Sequence, residues 1–221
     1  MTTPDERWVQ RLRDGEMPKR WPVLLVAAVT TAAGLGVLVA EFASPDFLRG
    51  LDSARTQANF VLWPLFVAGF GLLLAVVTWS AGRTDRRTLA RIRERRAPRF
   101  HLPVSASGLR ATDDLPCPRP EIWTVDASGL HAWAPSRAEP VFDLPWTHIR
   151  KFSVATKDAR GQRVDFGVWI STTVGEDVVV EPRPALGRGF EGGPDKLATI
   201  VRVLRALQRE LGGRGAAADQ P

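Results

Sequence analysis

The chain has 221 residues but one cysteine and three histidines. Cys117, set between Pro116 and Pro118, has no second thiol for an internal disulfide and no CxxC mate for a metal or redox site. His101, His131 and His148 lack metal-ligand spacing, and no GxGxxG, P-loop or HExxH pattern occurs. A Cys-His pair built from Cys117 with His131 or His148 is the one nucleophilic arrangement these residues leave open, and a lone thiol in a proline-rich loop is ordinarily inert. The expectation is a non-catalytic chain with no metal and no cofactor.

Charge is missing from two stretches. Residues 21–40 read WPVLLVAAVTTAAGLGVLVA and residues 59–79 read NFVLWPLFVAGFGLLLAVVTW, with no Asp, Glu, Lys, Arg or His in either. About 20 apolar residues of helix cross a ~30 Å hydrocarbon core, so both stretches are long enough. A buried helix of a soluble protein carries a polar stripe every third or fourth residue, and neither run has one. Thr30 and Thr31 are the hydroxyl-bearing residues of the first run, and their side chains can bond back to the preceding turn. A cleaved secretory signal fits poorly: the run exceeds the ~7–15 residues of a signal core, and Glu41 stands where cleavage after Ala43 wants a small residue. The absence of ionisable groups inside the runs leaves no proton relay, ion site or substrate pathway, and two helices do not enclose a pore.

Basic residues set the expected orientation. Arg7, Arg11, Arg13, Lys19 and Arg20 precede the first run, and Arg83, Arg86, Arg87, Arg91, Arg93, Arg95, Arg96 and Arg99 follow the second. The intervening loop holds only Arg49 and Arg55, against Glu41, Asp46 and Asp52. By the positive-inside rule both termini are cytoplasmic and the chain is a multi-pass protein of the inner (plasma) membrane. Trp21 and Trp79 then lie at the cytoplasmic ends of their spans, where an amphipathic indole is stable.

The excess positive charge lies in residues 83–99, where eight arginines meet only Asp85 and Glu94, while residues 100–221 carry equal numbers of acids and bases. Nucleic-acid binding calls for a basic face on the folded domain, so the high pI argues against it here. Anionic lipid is the better partner for the eight arginines, each worth ~1 kcal/mol near a negative leaflet. Fixing topology is the alternative role for the same cluster.

Small residues offer a packing signal within the spans. Ala28, Ala32, Gly36 and Ala40 recur every fourth residue, and Gly71 and Ala75 repeat the pattern briefly. Such faces let backbones approach in lipid, either as a hairpin within the chain or as a homodimer. Pro64 falls in the first turns of the run at 59–79, where a missing N–H costs little.

The remainder reads as β-rich. Residues 100–104 and 109–112 flank Ser105-Ala106-Ser107-Gly108, and residues 121–126 and 130–134 flank Ala127-Ser128-Gly129, each matching a hairpin. Residues 104–111 and 125–132 also resemble each other, a repeated hairpin at most. Further strands are expected over 145–155, 164–172 and 177–181, with turns at 156–163 and 173–176. From Gly193-Pro194-Asp195 the period changes to helical: Leu197, Ile200, Val201, Leu204, Leu207 and Leu211 form one face with Arg202, Arg205 and Arg209 opposite. Gly212-Gly213 is the expected stop, and residues 212–221 read as a disordered tail.

Seven strands closed by one amphipathic helix resemble the pleckstrin-homology-like (PH-like) fold. The likeness rests on Trp123-Thr124-Val125-Asp126-Ala127-Ser128-Gly129-Leu130 and Val141-Phe142-Asp143-Leu144-Pro145-Trp146-Thr147-His148-Ile149. They are similar to the bacterial PH-like pattern, in which a strand, an acidic-small-Gly turn and a second strand lead into Pro-Trp-x-x-Ile, here Pro145, Trp146 and Ile149 after Gly129. The resemblance implies a seven-stranded barrel or sandwich capped by a C-terminal helix. The turn at Ser105-Ala106-Ser107-Gly108 has only Arg110 beside it, so recognition of inositol phosphates is not implied. Trp146 and Ile149 are expected as core.

The architecture expected is thus a membrane-anchored α+β protein: a cytoplasmic segment (1–20), a two-helix transmembrane hairpin (21–80), a basic juxtamembrane segment (83–99), a PH-like domain (100–211) and a tail. The expected function is a membrane-tethered, non-catalytic module that binds a protein or peptide partner at the inner leaflet. A structural or assembly subunit acting through the transmembrane helices is the alternative.

Overall fold

A computed structural model describes residues 4–43, 54–105, 117–159, 161–175, 177–187 and 196–218. They divide into two compact units, one of Lys19–Ala81 and one that joins Met1–Pro18 to Gly82–Pro221.

The first unit is built on α2 (Trp21–Ala43) and α3 (Ala54–Arg95), two helices long and apolar enough to cross a membrane. Only 11% and 17% of their apolar windows is buried, and Trp63, Phe66 and Phe70 face outward, as suits a lipid-facing surface better than a soluble core. The helices meet at Ala27, Thr31 and Gly34 of α2 and at Pro64, Ala68 and Gly71 of α3. A Cβ added at Gly34 would lie 2.6 Å from the Ala68 nitrogen and from the Pro64 carbonyl oxygen, and one at Gly71 would lie 2.4 Å from Thr31 Oγ1. Of the two uses expected for the small-residue stripe, a hairpin within the chain or a homodimer, the α2 residues do not serve the first. Ala28, Ala32, Gly36 and Ala40 are exposed, and a Cβ on Gly36 meets nothing within 4 Å. Gly71 does sit in the contact, and Ala75 is half-buried. The reason is the heptad-like spacing of the buried positions, Ala27, Gly34 and Glu41, which follows the crossing of two helices rather than a strict four-residue step. Pro64 lies inside α3 rather than in its first turn, because the helix begins at Ala54.

α3 also runs on past the apolar stretch. Residues 83–95 contain no Gly or Pro, and the helix stops where Ala97 precedes Pro98, since a residue before proline is pushed out of the α region. The segment expected as a juxtamembrane collar is therefore helical up to Arg95, and it belongs to the second unit.

That unit carries seven strands in two antiparallel sheets: β1 (Phe100–Pro103), β2 (Ile122–Val125), β3 (Gly129–Trp133) and β4 (Phe142–Pro145), then β5 (Ile149–Ala159), β6 (Gln162–Thr172) and β7 (Val178–Val180). The ladders run β1-β2-β3-β4 and β5-β6-β7, and no closed barrel forms among the described residues. An isolated bridge joins Val104 to Pro182. β1 pairs with β2, Phe100 opposite Val125, while its expected partner at 109–112 and the repeated hairpin with it lie outside the described residues. The single strand expected over 145–155 is divided: β4 ends at Pro145, a short 3-10 turn takes Trp146–His148, and β5 begins at Ile149. β5 then runs through the expected turn to Ala159, with the reversal tightened to Gly161 at φ +79°.

The core is layered. Trp123, Val125 and Leu130 point inward to meet Phe152, Val168 and Ile170 of the second sheet and the leucine face of α4 (Leu197–Ala218). Ile122 and Trp133 point to the other face, where Leu89 and Ile92 of α3 cover them. Strands covered on both faces lose the apolar-polar alternation, which explains why every residue of β1, β2 and β3 is buried. The N-terminal segment adds α1 (Pro4–Asp14), whose Trp8 and Leu12 enter the same core; Trp8 donates its indole N–H to the Pro184 carbonyl at 2.6 Å. α4 continues through Gly212-Gly213 to Ala218, so the stop expected there is not taken and residues 212–218 are helical rather than a disordered tail.

Candidate functional site

α4 offers two faces of different chemistry. Leu197, Ile200, Leu204, Leu207 and Leu211 are buried, which turns Ala198, Arg202, Arg205 and Arg209 outward along the opposite side. β5 is the outer strand of its sheet, and its exposed Arg150 and Lys151 lie beside this helix face. Together they wall a groove of about 700 Å³, with Val154 and Ala198 as its accessible apolar lining. Five cations, Arg150, Lys151, Arg202, Arg205 and Arg209, line it, with no carboxylate among the lining residues. Electrical neutrality over residues 100–221 thus conceals a strongly basic local surface.

Two side chains tie the helix to the strand. Arg205 donates from Nε and Nη2 to the Phe152 carbonyl at 3.0 and 2.7 Å, and Gln208 donates to the Ile149 carbonyl at 2.9 Å. Arg202 contacts Thr199 Oγ1 at 3.2 Å, leaving most of its fork directed at the groove. Phe152 opposes Ile170 in the β5–β6 ladder, and its carbonyl points away from β6 to reach Arg205. By the alternation of an antiparallel ladder, the main-chain N–H and C=O of Val154 point the same way.

A second polar cluster joins the end of α3 to the β2–β3 hairpin. Arg96 donates to Asp126 Oδ2 at 3.0 Å and lies against the His131 ring, whose Nδ1 makes a short contact with Asp143 Oδ1 and whose Nε2 is 3.0 Å from Asp126 Oδ1. Ser128 Oγ is 3.0 Å from the same Nε2 but donates to Asp126 Oδ1 at 2.6 Å. Burial opposes charge on His131 and Arg96 adds to that, yet the hydrogen bonds to Asp126 and Asp143 outweigh both and hold its pKa above the ordinary imidazole value. Asp126 is likewise opposed by burial, and the hydrogen bonds from His131 and Ser128 overcome it, keeping its carboxyl well below the usual carboxylate range. Ser128, His131 and Asp143 mimic a Ser-His-Asp order. The serine hydroxyl is turned to Asp126 rather than to the ring, and His131 is bracketed by Asp126 and Asp143, so the cluster ties the β2–β3 hairpin to Arg96 and Asp143.

The eight arginines of residues 83–99 separate into two groups. Arg91 donates to the Pro135 carbonyl, Arg93 to the Gly15 carbonyl at 3.2 Å, Arg95 pairs with Glu139 at 3.5 Å, and Arg96 joins the cluster around His131. Arg83, Arg86, Arg87 and Arg99 are exposed. Asp85, one of the two acids in that segment, is buried against Arg183.

The residues on which the expected resemblance rests lie around the same hairpin. Gly129, at φ +150°, packs on the Leu144 carbonyl, where a Cβ would come within 2.2 Å. Trp146 and Ile149 belong to the core, and Trp146 donates its indole N–H to the Asp126 carbonyl at 3.0 Å. Cys117 is exposed beside Arg137 and Glu139, His148 is exposed in the 3-10 turn, and His131 takes acidic partners, so the structure assembles no Cys-His pair among these residues. Sequence reading marked Arg202, Arg205 and Arg209 as one helix face but not their joining to Arg150 and Lys151, which are ~50 residues away and share no motif with them. No family model, curated protein or solved structure matches the chain.

Proposed function

We propose that the chain is a non-catalytic, membrane-tethered PH-like module that presents a protein- or peptide-binding surface at the cytoplasmic face of the inner membrane. In this reading α2 and α3 form the multi-pass anchor and both termini are cytoplasmic. The distribution of arginine and lysine supports the cytoplasmic side, and the grouping of α1 with residues 82–221 in one compact unit supports both lying on the same side, since it calls for an even number of crossings between them. Arg83, Arg86 and Arg87, exposed just beyond the apolar stretch, are the residues for anionic lipid. The observation that carries the binding role is the cation-walled groove between β5 and α4, a concave surface with convergent polar groups.

The test is a photo-crosslinking residue at Ala198 in the full chain, activated in native membranes, with Trp79 as the lipid-facing control. A protein adduct specific to position 198 and lost in R202E/R209E supports the reading. Absence of any position-specific adduct in membranes that contain the chain at native level counts against it.

A second reading, a structural or assembly subunit acting through the spans, is favoured by one observation. Ala28, Ala32, Gly36 and Ala40 face away from the α2–α3 contact, which leaves a small-residue face for another helix, from a homo-oligomer or another protein. Loss of association in Gly36→Leu with the groove adduct unchanged would favour it.

A further inference from the structure

The proposed binding role leaves the chemistry of the groove's occupant open, and three features of the groove restrict it. The wall is of one sign: Arg150, Lys151, Arg202 and Arg209 are exposed cations and no carboxylate lines the cavity, the nearby Asp177 acting on Arg150 from outside it. The apolar lining that solvent reaches is half-buried Val154 and exposed Ala198, which a bare polyphosphate would leave unused. One side of the groove is an edge strand, with the Val154 main-chain N–H and C=O directed outward beside the Phe152 carbonyl that Arg205 already holds. A flat lipid surface cannot present hydrogen-bonding backbone to a recessed strand edge.

We infer that the groove takes an extended acidic segment of a partner protein, which adds as a strand to β5 at Val154 and directs alternate Asp or Glu side chains to the cations while apolar side chains face Val154 and Ala198. Strand addition supplies affinity through the main chain, and the alternating pattern supplies selection, because successive side chains of a strand point to opposite faces. Charge complementarity sets the sign of the partner and speeds its encounter. This inference rests on the binding role proposed above and names its partner class.

The probe is a short fluorescent peptide of alternating glutamate and valine, titrated against the full chain in nanodiscs of neutral phosphatidylcholine. Binding is expected to weaken at least about tenfold in R202E/R209E, to fall with rising salt, and to weaken comparably when alternate peptide amides are N-methylated in one register but not the other. The substituted residues are exposed, so an unchanged melting midpoint certifies the fold of the variant. Equal binding of a lysine-valine peptide, or indifference to N-methylation in both registers, overturns the inference. So does full saturation of the groove by inositol hexakisphosphate or phosphatidylserine vesicles with no peptide binding. If the peptide fails while the crosslink from position 198 persists in native membranes, the occupant is of another class and the binding role stands; if both fail, both readings fall.

Discussion

Arg183 and Asp85 form a two-bond ion pair, Nη1 to Oδ2 at 3.1 Å and Nη2 to Oδ1 at 3.0 Å, with both side chains buried. The pair joins the segment after β7 to the part of α3 that follows its apolar stretch. Asp85 also accepts the Gly187 N–H, and Arg183 donates to the carbonyls of Val104 and Glu121. Every strong group there has a partner, the condition under which a buried pair is tolerated.

Removing one partner should therefore be costly. Asp85→Ala leaves a guanidinium buried without its carboxylate and is expected to destabilise the second unit by ~3–5 kcal/mol. Arg95→Ala, which breaks an exposed pair with Glu139, should change stability by less than ~1 kcal/mol. Thermal unfolding of the full chain in detergent, compared between the two variants, checks the contrast.

The two buried histidines should give opposite pH limbs. His131 has a raised pKa, so its contribution is complete below the ordinary value of 6.5 and is lost as pH rises through the higher folded value. His101 is lowered, chiefly by burial, with the Leu12 carbonyl bond opposing and Arg93 adding to the effect; its neutral form donates from Nδ1 to that carbonyl at 3.0 Å. Its contribution is present above 6.5 and falls as pH drops through the lower folded value, because the unfolded chain then binds the proton first. His131→Gln should flatten the alkaline limb of a stability-pH curve and His101→Gln the acid limb near neutrality. Asp126 contributes above 3.8 and is lost only in strong acid.

Within the helical hairpin, Gly34→Leu and Gly71→Leu place side chains into backbone and Thr31, whereas Gly36→Leu enters open space. The first two should lower the melting midpoint by several degrees and abolish crosslinking between cysteines introduced at Ala27 and Ala68. The third should leave both unchanged.

Lipid contact should depend on which arginines are removed. Replacing Arg83, Arg86 and Arg87 by glutamine is expected to reduce retained anionic lipid with the fold intact, because these side chains are exposed. Replacing Arg91 and Arg96 should instead destabilise the sheet they hold, through Pro135 and Asp126. Native mass spectrometry of chain purified from mixed-lipid nanodiscs, read beside melting curves, distinguishes the two groups.

By itself the sequence determined whatever depends on composition over a window or on local period. Two uncharged runs must avoid water, so the apolar helices were legible from length alone, and the leucine spacing of α4 and the strand character of residues 122–125 and 129–133 follow from side-chain geometry within a single element. What tertiary structure decided was which faces meet. Leu89 and Ile92 are too sparse to announce a buried face, yet they cover Ile122 and Trp133, so an apparent collar becomes a layer of the fold. Trp8 and Leu12 look like part of a polar tail until β1 gives them a surface to fill. The helix crossing selects Ala27 and Gly34 over the neighbouring stripe, because a contact of two helices follows their mutual angle, which neither sequence run encodes alone. The basic groove belongs to the same class: its cations are ordinary surface residues in a neutral domain until β5 and α4 bring them to one cavity whose lining holds no carboxylate.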